Sequence, residues 1–64
     1  MRIVRYGKTI IVVSKKENTL YVEDDGRTIY LKTLDREKVA SELEKLAPSL
    51  VEVVLRVIDE ELGS

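Results

Sequence analysis

The spacing of apolar residues changes once along this chain, close to Lys32, and that change limits the folds open to it. Before Lys32 the apolar residues alternate with polar ones or form short β-branched runs, a pattern typical of strands. After Lys32 they recur every three or four residues, a pattern typical of helices with an apolar side. The chain is therefore predicted to form one α+β domain over 1–64, with a β-sheet half at 1–33 and a helical half at 34–62.

Short turns divide the first half into two hairpins. Gly7 stands at the first central position of a two-residue turn, as a type II′ turn requires. Asp25 and Gly26 both tolerate a positive φ, which predicts a type I′ turn. A polar linker at 15–18 joins the hairpins, so we expect a four-stranded antiparallel meander. The predicted strands span 2–6, 9–13, 19–23 and 27–32.

The two hairpins differ in how their faces are composed. Pairing across the Asp25-Gly26 turn gives the second hairpin one apolar face and one face that carries Tyr21 and Tyr30. Both faces of the first hairpin are rich in aliphatic residues, so both require a cover, from a curled sheet or from a second copy of the molecule. One of these faces holds Ile3, Ile10 and Val12, and the other holds Val4, Tyr6, Ile11 and Val13.

The second half predicts two helices that meet at Pro48. The first spans about 35–46, with Thr33 or Asp35 as its N-cap. Pro48 cannot continue this helix but suits the first turn of another, which ends before Gly63. The predicted apolar stripe of the first helix consists of Val39, Leu43 and Leu46.

Apolar residues cover most of the circumference of the second helix. Such a helix must bury more than one side, and a helix pair joined by so short a corner leaves part of this surface uncovered. Together with the two-faced first hairpin, this favours a homodimer, or contact with another protein, through the second helix and the first hairpin. The helix residues expected at the interface are Leu50, Val51, Val54, Leu55, Ile58 and Leu62.

The residue types that supply most general bases and activated nucleophiles are absent, because the chain has no His and no Cys. The serines lack a His to activate them, and the glycines lie too far apart to form a phosphate-binding loop. Glu23, Asp24 and Asp25 are interpreted as part of a turn rather than a metal site, and Glu60 and Glu61 as solvated. We therefore expect a non-enzymatic structural or interaction domain without catalytic residues, metal, cofactor or small-molecule substrate.

The distribution of charge leaves an alternative function open. Residues 1–32 contain seven Lys or Arg and four acids, whereas residues 33–64 contain four and eight. Tyr21 and Tyr30 can stack on nucleic-acid bases, with Arg5, Lys8 and Lys32 available for phosphates. The net charge of −1 and an acid on the tyrosine face favour instead a cross-strand tyrosine pair that stabilises the sheet.

The composition also bears on localisation. The longest aliphatic run, from Ile10 to Val13, is far shorter than the roughly 20 residues that cross a bilayer. The N-terminus lacks a signal-peptide pattern, and the absence of Cys fits a reducing compartment. For a natural protein we expect a soluble, cytoplasmic location.

In style the whole chain resembles computationally designed α+β mini-proteins. The resemblance rests on the absence of His, Cys, Trp, Phe and Gln, the Asp25-Gly26 hairpin, the Glu- and Lys-rich helix surfaces, and the terminal Gly63-Ser64, a pair that often precedes a purification tag. It implies a thermostable scaffold without a natural function. Proteins of hyperthermophiles share the charge-rich surface, and the wide apolar second helix departs from idealised design, so a natural thermophilic origin is the alternative.

Overall fold

The structure, a computed structural model, describes residues 1–63, so Ser64 of the terminal Gly63-Ser64 pair lies outside the described residues. The strands are β1 (Arg2–Tyr6), β2 (Thr9–Ser14), β3 (Thr19–Asp24) and β4 (Arg27–Leu31), and the helices are α1 (Arg36–Leu46) and α2 (Val51–Leu62), with a 3-10 turn at Pro48–Leu50. The strands form one antiparallel sheet in the order β1-β2-β3-β4. This confirms the predicted meander followed by two helices.

Each tight turn contains the residue type that its backbone requires. Gly7 has a φ of +54°, and Asp25 and Gly26 have φ values of +49° and +86°, as a type I′ turn needs at both central positions. In the linker between the hairpins Asn18 has a φ of +56°, and its N–H donates to the Lys15 carbonyl at 3.3 Å. The turns fix the register of the strands and therefore decide which residues share a face.

Both helices lie on one face of the sheet and enclose the core with it. Helix α2 packs against β1 and β2 on one side and against α1 on another. It therefore buries two parts of its circumference within a single copy, which accounts for much of its wide apolar surface. The buried apolar side chains are Ile11, Val13, Leu20, Val22, Ile29, Leu34, Val39, Leu43, Ala47, Val54, Val57 and Ile58.

Asp35, rather than Thr33, caps the first helix. The Asp35 carboxylate accepts from the backbone N–H groups of Glu37 and Lys38 at 3.0 and 3.2 Å. Thr33 supports this cap, because its hydroxyl accepts from the N–H of Asp35 at 3.0 Å. At the other end of the helical half, α2 stops before Gly63 as predicted.

The predicted stripe of α1 is right at two positions and wrong at the third. Val39 and Leu43 are fully buried, but Leu46 in the last turn is 45% exposed. Ala47 occupies the buried position instead, with 3% exposure, and its N–H donates to the Leu43 carbonyl at 2.7 Å. The chain turns toward Pro48 at this point, so the small side chain fits inside the corner while Leu46 lies outside it.

Glu61 is not solvated, contrary to the prediction. Only 6% of Glu61 is exposed, and its carboxylate lies 2.9 Å from the Met1 amino group and 3.9 Å from Nε of Arg2, and accepts from the Lys15 N–H at 3.4 Å. The hydrogen bond with the amino group lowers the pKa of Glu61 most; burial raises it, and the Lys15 N–H and the positive charges of the amino group and Arg2 lower it further. The adjacent Glu60 is exposed, as predicted.

Candidate interaction surface on the uncovered face of the sheet

No helix of the described chain covers the second face of the sheet. The register places four residues of this face in one line across the strands, with Ile3 opposite Val12, Val12 opposite Tyr21, and Tyr21 opposite Tyr30. We name these four residues the apolar row. Ile3 is 55% exposed and Tyr30 is 54% exposed, and the two central residues are partly exposed.

A second line of paired residues runs beside the apolar row. It consists of Arg5, Ile10, Glu23 and Thr28, and we name it the charged row. The Glu23 carboxylate accepts a hydrogen bond from the Tyr21 hydroxyl at 3.3 Å. Neither Arg5 nor Glu23 forms an ion pair with another residue in the range 1–63. Within the described residues of one copy, the two charged side chains of this row therefore have no ion-pair partner.

The uncovered face explains the composition of the first hairpin. On the side that the helices cover, Ile11 and Val13 are fully buried and Val4 is partly buried, while Tyr6 at the end of β1 is 56% exposed. The other side, with Ile3, Ile10 and Val12, continues into the tyrosine face of the second hairpin. The expectation that both sides need a cover is therefore met on one side within a single copy, and the other side remains exposed.

The six predicted interface residues of 50–62 do not share one exposed surface. Val54 and Ile58 have no exposed area and lie in the core, so they cannot reach a second molecule in this fold. Leu62 is 46% exposed near the end of α2. The three that are partly buried against the same core are Leu50, Val51 and Leu55. Of these six, the surface left for a partner consists of Leu62 and the outer edges of Val51 and Leu55 on α2, and that of Leu50 in the 3-10 turn.

Most of the residues considered for nucleic-acid contact do come together. Arg5, Tyr21 and Tyr30 lie on the uncovered face, and strand alternation places the exposed Lys32 there too. Lys8 lies apart from them in the turn between β1 and β2, where its ammonium group is 3.8 Å from a carboxylate of the neighbouring turn. The uncovered face thus carries two tyrosines and two cations, with Glu23 among them.

The acidic residues near the second turn have structural contacts of their own. Asp24 accepts from the Thr9 hydroxyl at 2.7 Å and from the Arg27 guanidinium at 3.3 Å, which links β2, β3 and β4. The Asp25 N–H donates to the Lys8 carbonyl at 3.2 Å and holds the two turns side by side. Within 1–63 the Asp and Glu side chains form no group of three or more that could hold a metal ion.

Comparison of the chain with family models, with curated proteins and with solved structures found no match. The longer helix in the described part of the chain, α2, has twelve residues, and neither α1 nor α2 is long and apolar enough to span a bilayer. The uncovered sheet face is the feature of residues 1–63 that points most directly to a partner.

Proposed function

We propose that this protein is a non-enzymatic interaction domain that associates with itself through the uncovered face of its sheet. The observation that carries the proposal is the apolar row, whose two end residues are each more than half exposed. A sheet with one covered face normally presents polar side chains on the other. Transfer of apolar surface out of water contributes about 25 cal/mol per Å², so a partner that covers this row gains stability.

The size of the face indicates how strong this association is. With strands about 4.8 Å apart and about 3.4 Å per residue, four strands of five residues have a footprint of roughly 300 Å². Stable complexes bury about 800 Å² on each partner. Interfaces below this size belong to weak and transient complexes, so we expect a weak dimer rather than an obligate one, and we take its dissociation constant as on the order of 100 µM.

The test is the molar mass as a function of concentration, measured by light scattering and sedimentation equilibrium. From about 10 µM to 1 mM the mass should rise from that of one chain toward that of two. Val12→Lys places a charge at the centre of the apolar row and should keep the chain monomeric. Leu62→Lys places the same charge on α2, and this variant should dimerise like the unaltered protein.

Two results would contradict the proposal. A molar mass that stays at that of a single chain from about 10 µM to 1 mM would exclude self-association over this concentration range. Dimerisation that is lost with Leu62→Lys but retained with Val12→Lys would move the interface to α2. Circular dichroism spectra of both variants establish that each keeps its fold, since both substitutions lie on exposed or partly exposed positions.

A second candidate, binding of single-stranded nucleic acid, is supported by the adjacent Tyr21 and Tyr30 on the same face as Arg5 and Lys32. Glu23 weakens this candidate, because it lies among these groups and repels phosphate. The test is a fluorescence titration with a single-stranded RNA and a single-stranded DNA oligonucleotide at several salt concentrations. Binding that weakens as salt rises and is lost with Tyr30→Ala would support it, and no binding at low salt would exclude it.

A further inference from the structure

The charged row is symmetric in position and opposite in charge about β2. Ile10 of β2 lies between Arg5 of β1 and Glu23 of β3 in the register of the sheet. Because adjacent strands are about 4.8 Å apart, the backbones at Arg5 and Glu23 are separated by about 10 Å with Ile10 between them. A line drawn along β2 therefore has a positive side chain on one side and a negative side chain at the same distance on the other.

We infer that two copies of this chain pack face to face about a two-fold axis that runs along β2, with Arg5 of each copy over Glu23 of the other. This geometry rests on the proposed function and specifies it. A half-turn about such an axis exchanges the positions over β1 and β3, because these strands are equally far from it. Both ion pairs then form in one step, and each copy contributes the same patch, as a symmetric dimer requires.

The apolar row fits the same axis. Val12 lies over Val12 of the second copy, and Ile10 lies over its own counterpart. Ile3 lies over Tyr21, so an aliphatic side chain meets an aromatic one at both ends of the three-strand contact. Packed sheets lie about 10 Å apart, a distance that the side chains of Arg5 and Glu23 span together. Their usual crossing angle of about 30° places β2 of each copy about 15° from the axis. Strand β4, with Tyr30, projects beyond the edge of the facing β1, so three of the four strands, with a footprint of roughly 240 Å², take part in the contact.

An axis at right angles to the strands gives no such match. In that arrangement each strand faces its own counterpart, so Arg5 on β1 and Glu23 on β3 do not meet. Each charge would then face either its own counterpart, which repels it, or an uncharged side chain that leaves it unpaired, and both disfavour association. Complementary charge at the two contacts therefore selects the axis along β2.

Charge reversal at the two positions tests this geometry. Arg5→Glu and Glu23→Arg each place like charges over one another at both contacts, and at low salt each should raise the dissociation constant by about tenfold or more. An equimolar mixture of the two variants forms a mixed dimer in which both pairs are restored. Its dissociation constant should return to within about threefold of the unaltered protein.

Lys32→Glu is the matched control. It reverses a charge of the same sign on the same face, but its position lies beyond the facing sheet, so the dissociation constant should stay within about threefold of the unaltered value. In about 1 M salt the screening length falls to about 3 Å, and the differences among all variants should shrink. Sedimentation equilibrium with one variant carrying a fluorescent label separates the mixed dimer from the two symmetric ones.

The outcomes distinguish this inference from the proposed function on which it rests. If the unaltered chain remains monomeric up to about 1 mM, both fail. If it dimerises but the mixture is no tighter than either variant alone, the axis along β2 is wrong while self-association stands. A restored mixed dimer together with an unaffected Lys32→Glu variant establishes the arrangement.

Discussion

Val12 and Val13 provide a matched pair for measuring what each face of the sheet contributes. They are adjacent in β2 and chemically identical, and they lie on opposite faces. Val13 is fully buried in the core, opposite Leu20, whereas Val12 is partly exposed in the apolar row. Replacement of either by alanine removes the same two methyl groups from a different environment.

The expected costs differ by more than twofold. Each buried methylene-sized group contributes about 0.8 kcal/mol, so Val13→Ala loses about 1.6 kcal/mol by transfer alone. The cavity left in the packed core increases this to about 2–3 kcal/mol. For a domain of this size 1 kcal/mol corresponds to about 4–8 °C, so the unfolding midpoint should fall by roughly 10–20 °C. Val12→Ala removes partly solvated groups and should cost less than about 1 kcal/mol in a single copy.

Thermal unfolding followed by circular dichroism at two protein concentrations is the assay. At about 10 µM, where a weak dimer is dissociated, Val13→Ala should unfold well below Val12→Ala. At about 500 µM dimer formation raises the midpoint of the unaltered protein and of Val13→Ala, whereas Val12→Ala should gain less. Equal losses at the lower concentration would show that Val12 is covered within one copy. An undiminished gain for Val12→Ala would show that the apolar row is not the interface.

Three further substitutions test the local physics of the fold, each by urea denaturation. Asp35→Ala removes the acceptor of two N–H groups at the start of α1 and should lower the free energy of unfolding by about 1 kcal/mol; a larger loss from Thr33→Ala would contradict the assigned cap. Gly26→Ala should cost about 1–2 kcal/mol from backbone strain alone, because φ is +86° and an added Cβ meets no atom within 4 Å; an unchanged midpoint would refute this. Glu61→Gln should destabilise the protein at neutral pH, and the difference should disappear on acidification. The folded state lowers the pKa of Glu61, so the carboxylate stabilises the fold above its ordinary pKa of 4.5, and this stabilisation is lost as pH falls through the folded pKa. Glu60→Gln, at the exposed neighbouring position, should show no such pH-dependent difference.

The order of the elements was predictable because its signals are local. Two-residue turns are predicted by Gly7, Asp25 and Gly26, and such turns join strands that are adjacent in the sheet. The N-cap at Asp35 and the corner at Pro48 are likewise set by a few neighbouring residues. Each of these signals acts over one turn of chain, so no long-range information was needed.

The choice of the covered face was not predicted, because the first hairpin is aliphatic on both sides. The four-residue linker at 15–18 decides it, since it pairs Ser14 with Thr19 and thereby places Val13 opposite Leu20. The second hairpin has one clearly apolar face, and the register of β2 and β3 places Ile11 and Val13 on the same side as that face. The helices cover this side of the sheet. The length of the linker was the signal in the sequence from which the continuous apolar row could have been inferred.

Two expectations depend on contacts between distant segments. Helical periodicity groups Val54, Ile58 and Leu62 on one side of α2, but it does not reveal that the sheet and α1 cover most of that side. The burial of Glu61 depends on where the end of α2 meets Met1 and β1, about sixty residues earlier in the chain. The resemblance to designed mini-proteins and the thermostability that it implies stay predictions.

Methyl NMR spectra recorded over a range of protein concentrations test most directly whether the uncovered face binds a second copy. Between about 20 µM and 1 mM the methyl signals of Ile3, Ile10 and Val12 should shift together, with a common dissociation constant. The signals of Leu62, exposed on α2, should stay in place. Shifts confined to Leu62 and its neighbours, or no shift at any concentration, would contradict self-association through the sheet.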